Sequence, residues 1–146
     1  MAVLPKIKAL REKLQSVDFS EEVMIVAKEP EVKKELIKLN QDQLRDGKKT
    51  DGKRIDPDYS TRYAKRRKKM GLQIGFVDLK VTGTLYEKID YFVKKNQILF
   101  FSRVRYAEYL EGRYAKRESH IFGLTDENLQ VLKQKVIEKI RLKLGM

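Results

Sequence analysis

The sequence predicts an α+β protein: a single domain, residues 1–146, in which a small antiparallel twisted sheet packs against N-terminal and C-terminal helices. Its length suits one domain, and 41% of its residues are hydrophobic, enough for a core. Apolar residues recur at helical spacing near both ends, and residues 90–104 hold two runs rich in aromatic and β-branched side chains. We distinguish N-terminal helices (1–45), a flexible loop (46–60), and a helix, β-hairpin and C-terminal helix (61–146).

The N-terminal part is predicted to be helical. Residues 3–15 carry apolar side chains at three-to-four spacing, which predicts a short amphipathic helix. Ser20, followed by two glutamates, is typical of the start of a second helix. Pro30 either kinks that helix or begins another as its first residue. Beyond it, one apolar stripe that ends near Gly47 consists of Val32, Leu36, Leu39 and Leu44.

Residues 46–60 are predicted to form a flexible loop, because they contain two Asp-Gly pairs and an Asp-Pro. The four aspartates of this loop invite comparison with a calcium site. Their spacing does not match an EF-hand loop, and no glutamate follows at the distance that a bidentate ligand requires. We therefore expect no metal here.

The next segment, "YAKRRKKMG" at residues 63–71, is predicted to be part of a short, mostly charged helix. Ser60 can cap its start and Gly71 can end it. Tyr59, Tyr63 and Met70 fall near one face at helical spacing. The two tyrosines either anchor the helix to the core or offer rings for base stacking. The basic residues fill the remaining circumference.

The segment after Gly75 changes in character. A break at Thr82-Gly83 precedes a short helical stretch that runs through Leu85 and Ile89. Residues 90–104 then form a predicted β-hairpin joined across "KKNQ". Alternation along its second run places Ile98, Phe100 and Val104 on one face and Leu99 and Phe101 on the other. Since both sets are apolar, we expect both faces to be covered.

The C-terminal region is predicted to contain two further helical elements. Residues 105–117 indicate a short helix or turn that ends at Gly112. Thr125 caps the last helix, whose apolar stripe is Leu129, Leu132, Val136, Ile140 and Leu144. We expect this stripe to pack against Phe92, Ile98 and Phe100 of the hairpin.

Charge is the most unusual bulk property, with a net charge of +12. Residues 45–71 alone hold eleven lysines and arginines against four aspartates. This excess predicts a solvated helix face, a surface for a polyanion, or a surface for an acidic protein partner. The candidate contact residues are Arg62, Lys65, Arg66, Arg67, Lys68 and Lys69.

Catalytic, cofactor and membrane signals are weak. The chain has no cysteine, no phosphate-cradling loop and a single histidine, His120, without the surroundings of a nucleophile. We therefore predict a protein that is not an enzyme and needs no cofactor, and assign His120 no chemical role. The longest aliphatic or aromatic run, Ile98 to Phe101, is far too short to cross a bilayer, and the N-terminal residues lack the unbroken apolar segment of a signal peptide. We expect a soluble protein made in the cytoplasm.

Three stretches resemble a family of bacteriophage tail-completion or head–tail joining proteins, the virion morphogenesis proteins. The first is "LNQDQLRDGKKTDGKRIDPDYS" leading into "YAKRRKKMG", and the second is "VDLKVTGTLYEKI", similar to a Thr-Gly-x-Leu motif before a hairpin. The third is "RYAEYLEGR" followed by "IFGLTDENLQVL", similar to the family's entry into a C-terminal helix. Together they cover roughly residues 40–144.

The resemblance implies a structural virion protein at the neck or tail end, assembled in several copies as a ring around the DNA channel. Its implied partners are other copies of itself and portal, adaptor or tail proteins, with non-specific contact to DNA in the channel and none to a membrane. The alternative is a free nucleic-acid-binding protein that uses the helix at residues 61–70. That helix lacks the mixture of Asn, Gln and Arg expected of base readout.

Overall fold

The computed structural model describes residues 21–94, 97–116, 119–143 and 145. The described residues form six helices and one two-stranded antiparallel sheet, which confirms the predicted α+β class. The elements in chain order are α1 (Glu21–Ala27), α2 (Pro30–Arg45), α3 (Thr61–Lys69), α4 (Thr84–Glu87), β1 (Ile89–Lys94), β2 (Gln97–Ser102), α5 (Ala107–Tyr114) and α6 (Asp126–Lys143). The helix predicted at 3–15, the Ser20 cap, Leu144 and the side chain of Ile140 lie outside what the structure describes. No helix in the described ranges has the length and apolarity needed to cross a membrane.

Pro30 begins a new helix, so the second of the two alternatives is correct. It occupies the first turn of α2, where its missing N–H leaves no hydrogen bond unmade. Val32, Leu36 and Leu44 of the predicted stripe are buried, and the partly buried Leu39 packs against the cluster that contains Val32 and Leu36. The helix ends at Arg45 with Asp46 as its C-cap, and Gly47 follows with φ 71°, a left-handed conformation that favours glycine.

Substituting alanine at Gly47 is expected to lower the free energy of unfolding by about 2 kcal/mol, because of backbone strain at positive φ. The added Cβ would also lie 2.6 Å from Cδ2 of Phe76. Gly112 in α5 is the matched control: a Cβ there meets nothing within 4 Å, and Gly112→Ala should raise stability by about 0.5–1 kcal/mol. Urea denaturation measures both. Equal effects at the two positions would contradict the packing of Gly47 on Phe76.

Loop 46–60 is held to the rest of the molecule, although its composition predicts flexibility. Ile55 is buried in the core, and Lys49 is buried with its Nζ 3.3 Å from both Asp56 Oδ1 and the carbonyl oxygen of Tyr114. Thr50 donates its backbone N–H to the carbonyl of His120 and accepts the His120 N–H on its hydroxyl, each at 2.9 Å. These contacts join the loop to the segment after α5.

The hairpin exposes one face, so the expectation that both faces are covered is wrong. Tyr91 and Phe100, which pair across the strands, have ring centroids 4.9 Å apart and face the core, where the Tyr91 hydroxyl donates to the Ala27 carbonyl at 2.6 Å. Phe92 pairs with Leu99 on the opposite face and is 49% exposed. The predicted contact of Phe92 with α6 is therefore also wrong, because neighbouring residues of a strand point to opposite sides.

Helix α6 closes the core as predicted. The Thr125 hydroxyl accepts the Asn128 N–H at 3.2 Å, which confirms the cap. Leu132 and Val136 are fully buried in one cluster with side chains of α1 and α2, and Ile98 and Phe100 pack against that cluster. A second cluster lies beneath α4 and α5 and includes Ile55, Val77, Leu85, Tyr114 and Ile121.

Two buried amides of α2 hold the segment that leads into α6. Asn40 donates to the Ile121 carbonyl at 3.0 Å and accepts the Gly123 N–H at 3.1 Å. Gln43 donates to the Gly123 carbonyl at 2.9 Å and accepts the Thr125 N–H at 3.0 Å. Because buried polar groups need partners, these four bonds specify the position of residues 121–125.

Two element boundaries differ from the predictions. Helix α5 continues through Gly112 to Tyr114, because the buried Tyr114 ring holds its last turn against the second cluster. The helical stretch after Gly83 ends at Glu87, and Ile89 begins β1 instead of extending that helix.

Candidate partner-binding surface

Helix α3 is defined by local signals at both ends. The Ser60 hydroxyl accepts the Tyr63 N–H at 3.2 Å, and Gly71 follows the last turn with φ 75°. The nine residues of the helix include no acidic side chain, and its last turn is entirely basic. Cations at this end interact favourably with the helix dipole.

Arg67 is buried, contrary to its prediction as a surface contact residue. Only 1% of the residue is exposed, and the guanidinium donates to the carbonyls of Gln73 at 3.1 Å and Lys80 at 2.9 Å. It also donates to Oδ1 of Asp78 at 3.1 Å. A guanidinium tolerates burial only when its donors are paired in this way. Arg67 therefore anchors α3 to residues 73–80 and takes no part in a surface site.

Tyr59 completes this buried anchor. Its hydroxyl accepts the backbone N–H groups of Asp78 and Leu79 at 3.2 and 3.0 Å, and it lies 3.2 Å from Oδ1 of Asp78. Burial, together with the nearby Asp78 carboxylate, raises the pKa of Tyr59 to about 12. The Arg67 guanidinium stacks over the Tyr59 ring at 4.4 Å. Of the two roles considered for Tyr59, the structure supports the anchor.

The other five predicted contact residues are exposed. They are Arg62, Lys65, Arg66, Lys68 and Lys69. Within the described part of the chain, none of them forms an ion pair with a carboxylate. We call these five residues the basic face. Met70, which follows the helix, is also exposed.

A depression runs along this face, and a second one adjoins it. The first is lined by Arg62, Lys65, Arg66 and Lys69 together with Ser60, Thr61 and Tyr63. The second, which we call the tyrosine groove, has a volume of about 420 Å³ and lies between α3, residues 79–81 and α5. Ser60 and Tyr63 line both depressions, so the two lie side by side.

Five tyrosines line the tyrosine groove, and sequence reasoning missed it. They are Tyr59, Tyr63, Tyr106, Tyr109 and Tyr114. Three of them belong to the segment 105–117, where the repeated tyrosines of "RYAEYLEGRY" were an available signal. Leu79, Val81, Leu110 and Arg113 complete the lining.

The neighbourhood of His120 is a structural junction. Its Nδ1 contacts Oε1 of Glu111, while Oε2 of the same carboxylate accepts the Ile121 N–H at 3.1 Å. Its backbone bonds to Thr50 join this junction to loop 46–60. Among the described residues, no group of three or more His, Cys, Asp or Glu side chains is arranged to hold a metal ion.

Comparisons with known proteins return no relative: no protein-family model matches the chain, and neither does any curated protein or solved structure. We therefore infer the function from the basic face, the tyrosine groove and the sequence motifs.

Proposed function

We propose that this protein is a non-catalytic structural component of a tailed-bacteriophage virion. Its place is the neck or tail end, where several copies form a ring around the DNA channel. The observation that carries the proposal is the basic face: five exposed cations on a helix that the buried Arg67 locks to the core. The resemblance of three sequence stretches to the tail-completion and head–tail joining family supports the location.

The chemistry of the basic face suits contacts that do not read sequence. Helix α3 carries no Asn or Gln, the side chains that pair with adenine edges. Lysines and arginines that reach phosphates position a duplex without selecting bases. The same cations can dock an acidic surface of a neighbouring virion protein, so the proposal includes both protein partners and DNA in the channel.

The first test removes the charge and keeps the anchor. We expect a variant with glutamine at all five basic-face positions and arginine retained at 67 to stay folded, because the exchanged side chains are exposed. It should yield few DNA-filled infectious particles. Any affinity for DNA should fall equally for unrelated sequences, and the slope of log K against log salt should become shallower by about 0.9 per phosphate contact removed. Plaque titre and fluorescence anisotropy measure these effects.

A matched control separates the location of the charge from its amount. Glutamine at five exposed lysines elsewhere removes the same +5; these are Lys28, Lys34, Lys38, Lys88 and Lys94. This control should assemble particles normally. Normal assembly by the basic-face variant would show that the face is merely solvated. A loss of binding confined to one DNA sequence would favour the alternative, a nucleic-acid-binding protein that reads bases through α3.

A second test asks directly whether the protein belongs to particles. Mass spectrometry of purified virions should detect it in several copies, and deletion of its coding sequence should leave heads and tails unjoined or tails incomplete. Complementation with the parent sequence should restore joined particles. Its absence from purified virions would overturn the proposal.

A further inference from the structure

The tyrosine groove exposes aromatic side chains to solvent. Tyr106 is 50% and Tyr109 67% exposed, and Val81 beside them is also exposed. Tyr114 is buried and Tyr59 half-buried, so the groove lining combines two tyrosines fixed by packing with two exposed ones. Clustered exposed apolar side chains of this kind mark an interaction site.

The charged side chains that line the groove and the adjoining depression are all basic. Arg113 lines the groove itself, and the adjoining depression adds Arg62, Lys65, Arg66 and Lys69. No carboxylate lines either depression among the residues that the structure describes. A ligand that spans both must combine negative charge with an apolar or aromatic group.

The geometry of the rings favours a protein segment over a nucleic acid strand. Base stacking needs free ring faces. One face of Tyr59 is covered by the Arg67 guanidinium at 4.4 Å, and the Tyr63 ring meets Tyr59 edge-on at a centroid distance of 5.3 Å. Arg113 lies over the buried Tyr114 ring at 5.6 Å. Leu79, Val81 and Leu110 complete an aliphatic wall that suits a side chain.

We propose that the tyrosine groove and the basic face together bind an acidic segment of a partner protein. A large apolar residue of that segment occupies the groove, and its carboxylates lie along α3. The volume of about 420 Å³ is adequate for one such anchor, and tyrosine and arginine are among the side chains enriched at the energetic centres of interfaces. This inference rests on the proposed function in that the partner is another virion protein; the binding mode itself is a property of the isolated chain.

The experiment uses two synthetic peptides and an oligonucleotide. One peptide consists of Asp and Glu with Phe-Leu at its centre, and the second has Ala-Ala in place of Phe-Leu. The third probe is a dT oligonucleotide of equal charge. The chain has seven tyrosines and no tryptophan, so its intrinsic fluorescence reports on tyrosine environments directly. We expect the anchored peptide to bind at least about tenfold more tightly than the alanine peptide, the effect of burying one large apolar side chain.

Variants test the separate contributions of the tyrosine groove and the basic face. Tyr109→Ala should abolish the difference in affinity between the two peptides and leave only the weaker, salt-sensitive binding. The basic-face variant should weaken the binding of both peptides. The matched control is Phe92→Ala, which truncates an exposed aromatic ring on the hairpin and should change nothing. Equal binding of the two peptides would overturn the proposal. The proposal would also be overturned if the oligonucleotide bound more tightly than the anchored peptide and Tyr109→Ala abolished that binding. Such a result would identify a single-stranded nucleic acid site.

The outcome is separable from that of the virion proposal. If the protein binds the anchored peptide but is absent from particles, this inference stands and the proposed function is wrong. If the protein is present in particles but binds the two peptides equally, the proposed function stands and this inference is wrong.

Discussion

Replacing Arg67 by glutamine is expected to lower the free energy of unfolding by about 3–5 kcal/mol, the cost of removing one partner of a buried ion pair. The shorter side chain cannot supply the three hydrogen bonds that the guanidinium makes with Asp78, Gln73 and Lys80. It would leave the Asp78 carboxylate without its cation in a nearly buried site. Urea denaturation followed by far-UV circular dichroism measures the loss.

Arg66 provides the control, one residue earlier on the same helix. Because it is exposed, Arg66→Gln should change stability by no more than about 0.5 kcal/mol. Adding Asp78→Asn to Arg67→Gln should recover part of the loss, since it removes the uncompensated charge. Equal stability of the Arg66 and Arg67 variants would contradict the buried anchor.

The burial of Arg67 also changes how the basic run can be tested. The sequence alone suggests that all five basic residues of 65–69 lie outside the core, so that replacing them together leaves the fold intact. That expectation is wrong for Arg67, and a variant with all five exchanged would lose the anchor together with the charge. A loss of assembly can be attributed to the basic face only in a variant that retains Arg67.

Replacing Val136 by aspartate is expected to cost about 4 kcal/mol or more, because it places a charge without a partner in an apolar core. Val136 is fully buried in the cluster formed by α1, α2 and α6, against which the hairpin packs. Thermal unfolding should show either a large fall in Tm or no cooperative transition.

Leu142 is the matched position on the same helix, with 73% of its surface exposed. Leu142→Asp introduces the same charge and should alter stability by at most about 0.5 kcal/mol. If Val136→Asp melts at the temperature of the parent, α6 does not pack on the core through this residue.

The sequence by itself determined the features that depend on near neighbours in the chain. The hydroxyls of Ser60 and Thr125 cap helices because each accepts the N–H three residues later, a contact that local spacing specifies. The hairpin and the stripe of α6 followed from periodicity, and the α+β class followed from their order. Pro30 left two alternatives because proline both disrupts a helix interior and suits a first turn.

The tertiary structure decided which side of each element meets the core. Alternation in the hairpin separates Tyr91 from Phe92, yet both are aromatic, and only packing against α1 and α2 buries the first. In α3, basic residues occupy nearly every side, so periodicity could not single out Arg67. Its partner Asp78 lies eleven residues away, beyond the helix. The tyrosine groove arises from three separate segments that the fold brings together. No local sequence pattern encodes the proximity of segments that are far apart in the chain.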